Sequence, residues 1–261
     1  MNKYICTMSL VKTRYFIFIS YKGTSYHGWQ LQPNAITVQE ILNEAMSRVL
    51  EEEIKATGAG RTDTGVHASV FCAHFESEAS DIDTRKNLVF KLNRYLPNDI
   101  SISGIRRVQP DAHARFSALS RTYKYYISKV KDPFREESAW FVHGNLDIDL
   151  MNQACAILME QNDFTSFSKL HSDNKTNICK IYSASWEEEL NGIIFTIKAD
   201  RFLRDMVRAI TGTMIEIGSG KMGLGEFREI IIARDRCRAG KSAPAKALFL
   251  AGIEYPDEIF I

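Results

Sequence analysis

The chain has 261 residues, 45% of them hydrophobic and 25% charged, with 15 Gly and 6 Pro, which excludes disordered, collagenous and low-complexity classes. That length accommodates roughly one large or two modest domains and predicts burial of about 70–75% of the unfolded surface. Lys and Arg (33) balance Asp and Glu (32) to a formal net charge of +1, so any nucleic-acid contact has to rest on local charge separation.

Residues 1–12 lack an apolar core and a cleavage site and read as a flexible leader. Thr13–Tyr21 (TRYFIFISY) is aromatic and β-branched, a strand buried on both sides. Thr37-Val38-Gln39-Glu40 has capping-box form and opens a helix whose apolar face runs from Val38 to Leu50. Ser69–Glu76 is a second strand. Asp83–Leu96 is a second helix stopped by Pro97, and Ile100–Val108 a third strand interrupted by Gly104. Arg121–Ser128 alternates as a strand, and Lys129–Gly144 is a long loop. Asp147 caps a helix through Met159, and Ile181–Glu189 and Gly192–Ala199 form a hairpin about Asn191-Gly192. Leu203, Met206, Val207, Ile210 and Met214 mark a further helix. Phe227, Ile230 and Ile231 mark a shorter one, and 247–255 a closing strand. The order predicts an α+β fold of two similar lobes, residues 13–112 and 113–261, each a mixed or antiparallel sheet with helices on one face. The expected active-site cleft lies between the lobes.

The five cysteines (Cys6, Cys72, Cys155, Cys179, Cys237) form no CxxC pair and are expected as free thiols in a reducing cytosol. The six histidines show no metal-ligand spacing, so no metal site is expected. No stretch reaches the ~18 apolar residues of a membrane span. A soluble, cytoplasmic protein is the expectation.

Three clusters carry candidate chemistry. Thr57–Ala68 (TGAGRTDTGVHA) sets Arg61, Thr62 and Asp63 among Gly58, Gly60 and Gly65, residues that permit positive φ and close approach by a ligand. An outward Asp63 held by the adjacent Arg61 is suited to act as a nucleophilic carboxylate. The alternative is a plain turn, with Asp63 on backbone amides and Arg61 in water. The triplet Asp63-Thr64-Gly65 also occurs in aspartic proteases, but those need a second carboxylate and an all-β frame. The second cluster, Ala112–Ser128, interleaves Arg115, Arg121 and Lys124 with Phe116, Tyr123, Tyr125 and Tyr126, ingredients of single-strand RNA contact. Its alternative is a strand whose tyrosines pack in the core. In the third, Arg201, Arg204 and Arg208 line one helical face, followed by Arg234, Arg236, Arg238, Lys241 and Lys246. Acid collects elsewhere, at Glu51–Glu53 and Glu187–Glu189, a charge separation expected of a phosphate-binding cleft. Gly218-Ser219-Gly220-Lys221 lacks the phosphate-loop spacing and is set aside.

GAGRTDTGVHA closely resembles GAGRTDAGVHA, the signature of the bacterial tRNA pseudouridine synthase A family. YKGTSYHGWQ, VQEIL, HARFSALSRTYKYYI, DFTSFSK, FLRDMVRAITG and APAKALFL follow in the family's order, from about residue 13 to 256. The resemblance implies a homodimeric enzyme that turns uridine into pseudouridine in the anticodon stem-loop of tRNA, without cofactor or metal. It implies Asp63 as nucleophile, Arg61 as the side chain that displaces the target base and Tyr123 as its stacking partner. It further implies Arg208 as the partner of the carboxylate and Leu248 as a wall of the pocket. RNA contacts are implied at Ala112, His113, Ala114, Arg115 and Phe116, and at His171 and Lys175. Thr64, Arg204, Asp205 and Ala247 depart from the usual family residues. The contrasting expectation is a non-catalytic RNA-binding module of the same fold, against which the presence of Asp63 argues.

Overall fold

A computed structural model describes residues 12–170 and 175–261. The expected leader apart from Lys12, Cys6 and His171 lie outside the described residues. In chain order the elements are β1 (Thr13–Tyr21), α1 (Val38–Leu50), β2 (Thr57–Gly58), β3 (His67–Ser77), α2 (Leu88–Tyr95), β4 (Ile100–Arg107) and β5 (Ser120–Ser128). There follow β6 (Trp140–Phe141), α3 (Ile148–Met159), β7 (Ile181–Glu189), β8 (Gly192–Ala199), α4 (Met206–Gly218), α5 (Leu224–Ala233) and β9 (Leu248–Glu254). The strands form one mixed sheet in the order β4-β1-β3-β9-β5-β8-β7, with β2 added to β3 and β6 to β5. The fold is α+β.

Local signals set the starts of α1 and α3. Thr37 Oγ1 accepts from the Glu40 amide at 3.4 Å and Asp147 Oδ1 from the Leu150 amide at 2.8 Å, so both helices begin where an orphan amide finds an oxygen. Strand β1 lies between β4 and β3, and Tyr15, Phe16 and Ile17 are fully buried. Tyr15 and Ile17 pack with Val38, Leu42 and Met46 of α1, whereas Phe16 faces Cys72, Ala112 and Ala114 on the other side. Helices α3, α4 and α5 pack with the inward residues of β5, β7 and β8 in a second large cluster, and Tyr123 touches both clusters.

The two halves of the chain are joined by its last strand. β9 returns to lie parallel to β3 (His67 opposite Phe249) and antiparallel to β5 (Tyr123 opposite Leu250, Tyr125 opposite Leu248). The register shifts between Thr122 and Tyr123, a bulge of the kind that re-aims a side chain. A similar shift lies where Phe18 and Ile19 oppose Gly104 and Ile102, which accounts for the glycine inside β4.

Three expectations need correction. Helix α2 starts at Leu88, not Asp83, because Asn87 takes a left-handed φ of 62° and residues 81–84 close a turn of their own. The loop 129–144 contains β6, where Trp140 pairs with Ile127. Helix α4 starts at Met206, since Asp205 has φ 66°. Arg201 and Arg204 therefore precede the helix, and no three-arginine helical face forms.

Candidate active site

The loop between β2 and β3 presents Asp63. The segment 21–30 holds it in place. The Thr62 hydroxyl shares a 2.8 Å hydrogen bond with the Tyr21 hydroxyl in the core, and the Trp29 amide donates to the Thr62 carbonyl at 3.3 Å. The Gly65 amide donates to the Tyr26 carbonyl at 3.4 Å, and Gly65 has φ 78°. This fit requires glycine on the supporting side. A Cβ on Gly23 would lie 2.0 Å from the Val66 carbonyl oxygen, and one on Gly28 (φ 85°) 2.3 Å from that of Thr62. Gly58 is closed by the Trp29 indole, whereas Gly60 faces open space. Four residues after Asp63, the buried His67 accepts from the Gly23 amide through Nδ1 at 2.9 Å. Its Nε2–H therefore points at the carbonyls of Glu137 (2.9 Å) and Lys246 (2.8 Å). Burial holds the imidazole below its ordinary pKa.

Asp63 is half-buried, and two guanidinium groups face its two oxygens. Arg204 Nε lies 3.4 Å from Oδ1, and Arg208 Nη1 lies 3.6 Å from Oδ2. These are the ion pairs of Asp63 among the described residues. Arg61, expected to hold the carboxylate, is exposed and points to water. Arg208 stands on the carboxylate as the family resemblance implies, whereas Arg204, which spacing alone places in an arginine stripe, is a partner that the sequence does not single out. Arg208 Nε also donates to the Ala243 carbonyl at 2.8 Å and Nη1 lies 3.1 Å from Asp205 Oδ1. The part of Asp205 was not foreseen.

Tyr123 is half-buried, with its ring edge-on to Phe202 at 5.1 Å. Burial, opposed by Arg121 and helped by the negative charge of Asp63, pushes its phenol up to about 12. The hydroxyl is therefore a donor at neutral pH. Leu248 is buried at the start of β9, beside Tyr125, whose ring is fully buried and whose hydroxyl donates to the Pro244 carbonyl at 2.8 Å. Tyr125 is a core residue. Asp63 lines neither of two surface clefts, one of about 370 Å³ around Thr57 and His74 and one of about 490 Å³ around Lys22 and Phe249.

In the segment 112–116, the methyl groups of Ala112 and Ala114 are buried, and Arg115 and Phe116 stand out, Phe116 at 74% exposure. The His113 ring lies 4.4 Å from both Phe116 and His74. His74 Nδ1 accepts from the Ala114 amide at 3.2 Å, and burial followed by the nearby His113 and Arg14 pulls His74 down to about 4. Arg121 does not face outward as a free cation. It donates to the carbonyls of Asp200 (2.8 Å), Ala59 (3.2 Å) and Arg115, tying this segment to the root of the loop that carries Asp63. The basic C-terminal third is also largely engaged internally, with Arg234 on Asp163, Arg238 on Glu229 and Lys246 on Glu136. Lys175 is exposed. Among the described residues no group of three or more His, Cys, Asp or Glu side chains is placed to hold a metal ion, and no helix is long and apolar enough to cross a membrane.

The sequence pattern of the tRNA pseudouridine synthases matches residues 17–117 and 154–256. The chain belongs to that family. It is 55% identical over 248 residues to tRNA pseudouridine synthase A of Bacteroides fragilis, covering 95% of this chain and 98% of the relative. Identity to tRNA pseudouridine synthase A of Parabacteroides distasonis is 51% over 247 residues, again covering 95% and 98%. Identity to that of the more distant Colwellia psychrerythraea is 35% over 246 residues, covering 94% of each. Of the residues around the site, Arg61, Asp63, Arg208 and Leu248 fall inside the family-matched spans, and Tyr123 falls between them.

Proposed function

We propose that the protein isomerises uridine to pseudouridine in the anticodon stem-loop of tRNA, with Asp63 as the nucleophile. Membership of the synthase family supports the reaction. The observation that carries the assignment of the site is the Asp63 carboxylate, set on a rigidly docked loop with Arg204 and Arg208 on its two oxygens. The reaction exchanges one glycosidic bond for another: N1–C1′ breaks, the uracil turns, C5–C1′ forms, and the C5 proton is lost as N1 gains one. A carboxylate suits it because it adds covalently to the nucleoside, at C6 or C1′, and leaves again.

The target base first leaves its stack, which costs a few kcal/mol. Arg61, exposed and uncommitted to the carboxylate, takes the vacated space. The flipped uracil stacks on Tyr123, which returns ~1–3 kcal/mol. With its phenol held protonated, Tyr123 enters as a ring and a donor, so a resting phenolate does not take the C5 proton. His113, Arg115 and Phe116, with Lys175 and His171, are the side chains we assign to RNA. The same reading makes the protein a cytoplasmic homodimer, which sedimentation and fractionation check.

Tritium release from tRNA carrying 5-labelled uridine tests the site. Asp63→Asn should fall to background, and substantial residual turnover would end the assignment. Pseudouridine mapping in a deletion strain tests the substrate: loss is expected in the anticodon stem-loop, and unchanged sites there would redirect the search.

A further inference from the structure

A second carboxylate stands behind the Asp63 pair. Asp205 occupies the position before α4 in a left-handed conformation (φ 66°), which Asp and Asn accept more readily than most residues. Its side chain is only 14% exposed. Oδ1 lies 3.1 Å from Arg208 Nη1. Oδ2 accepts from the Ser242 hydroxyl and faces Arg236 Nη2 at 3.8 Å. Arg236 in turn donates to Ser242 Oγ (2.8 Å) and the Gly240 carbonyl (3.1 Å).

These contacts attach α4 to the segment 239–243. The Ala243 amide donates to the Arg208 carbonyl at 3.0 Å, and the Gly240 amide to Thr213 Oγ1 at 3.0 Å. The segment lies this close because position 212 is glycine: a Cβ there would sit 1.8 Å from the Lys241 carbonyl oxygen. Arg208 is thus held at Nε by the Ala243 carbonyl and at Nη1 by Asp205. The same Nη1 reaches Asp63 at 3.6 Å, longer than a good hydrogen bond.

We propose that Asp205 is a positioning residue that restrains Arg208 at a set distance from the nucleophile; the proposal rests on Asp63 being that nucleophile. An unrestrained guanidinium closes on a carboxylate as a short, two-pronged pair. Such a pair would occupy the oxygens that must attack. Restrained by Asp205, Arg208 lends its positive charge to Asp63 from 3.6 Å, and Oδ2 stays out of a short pair and available to the nucleoside. Asp205 touches no substrate in this arrangement and acts through Arg208 alone.

The test uses two variants that both tolerate the backbone at this position. Asp205→Gly removes the side chain without strain at positive φ, and Asp205→Asn keeps an acceptor and the turn preference while removing the charge. Single-turnover tritium release should fall at least about tenfold in Asp205→Gly, with KM for tRNA within about twofold of wild type, and Asp205→Asn should recover most of the loss. In an Arg208→Ala background, Asp205→Gly should cost nothing further, because residues acting through one another are not additive. Turnover of Asp205→Gly within about twofold of wild type overturns the proposal. An equal extra loss in the Arg208→Ala background, as a purely structural role would give, overturns it as well. Full turnover by Asp63→Asn measured alongside would instead strike the underlying reading.

Discussion

Replacing Gly28 by Ala should slow turnover without altering any reacting group. The new Cβ would lie 2.3 Å from the Thr62 carbonyl oxygen and 3.2 Å from the Asp63 carbonyl carbon. A carbon–oxygen contact relaxes at about 3.3 Å, so the Thr62 peptide has to retreat by about 1 Å. It cannot retreat alone, since its hydroxyl is bound to Tyr21 and its carbonyl accepts from the Trp29 amide. Asp63, the next residue, moves with it. A shift of about 1 Å at a reacting group is worth about 100-fold in rate. Alanine at φ 85° adds strain of about 1–2 kcal/mol, which lowers the melting temperature by a few degrees. Tritium release under kcat and KM conditions, with a thermal melt of the same preparation, reads both effects. The expected result is kcat down about 100-fold with KM for tRNA little changed. Gly60→Ala is the internal control: nothing lies within 4 Å of its Cβ, so its melt should match wild type. A folded Gly28→Ala protein with kcat within about threefold of wild type would refute the claim that segment 21–30 positions the nucleophile.

Arg61→Ala should keep the wild-type melt, because the side chain is exposed and outside the Asp63 ion pairs, while turnover on tRNA falls strongly; an unaltered rate would remove the base-displacement role. His74 makes folding pH-dependent in a definite direction. Its folded pKa, about 4, lies below the ordinary 6.5, so the unfolded chain binds the extra proton first and stability is lost as pH falls from 6.5 towards 4. The slope attributable to this ring is at most about 1.4 kcal/mol per pH unit, and denaturant titrations of wild type and His74→Gln across that window should diverge accordingly. With the Tyr123 phenol pushed up to about 12, Tyr123→Phe should leave the shape of the rate profile below pH 10 unchanged; a basic limb that vanishes in the variant would contradict the protonated phenol.

What the sequence made legible was local. A Thr or Asp before an apolar stripe announced α1 and α3 to the residue, and an Asn-Gly pair announced the β7–β8 hairpin, because each depends on partners within four positions. The misjudged starts of α2 and α4 have one cause. Asn87 and Asp205 sit in left-handed conformations that break a continuous apolar period, and periodicity alone does not register a single residue of that kind. At the site, the glycine-bracketed Asp63 is visible in the local pattern; proximity in sequence pairs it with Arg61, whereas the family resemblance implies Arg208, which does lie 3.6 Å from its carboxylate. Arg61 is two positions away and faces water, whereas Arg204 lies 141 positions away and touches the carboxylate.

That separation explains why the surroundings of Asp63 depend on the whole sheet. Asp63 enters the site at the head of β3, and the guanidiniums come from the approach to α4 and its first turn. The two are brought together only because β9 pairs with β3 on one side and β5 on the other. His67 strengthens that junction, bonding the Gly23 amide in the loop after β1 and facing the carbonyls of Glu137 and Lys246 with its other nitrogen. It joins the support of Asp63 to the segment that leads into β9. Its neutral imidazole, held there by burial, must have Nδ1 free of a proton to accept from Gly23. Protonation would turn Nδ1 into a donor set against the Gly23 amide while Nε2–H keeps the carbonyls of Glu137 and Lys246, so the support of Asp63 is lost within the packed junction and activity and tertiary packing should fail over the same acid range. An acid loss of turnover in a protein whose near-ultraviolet circular dichroism is unchanged would separate the two and count against this coupling.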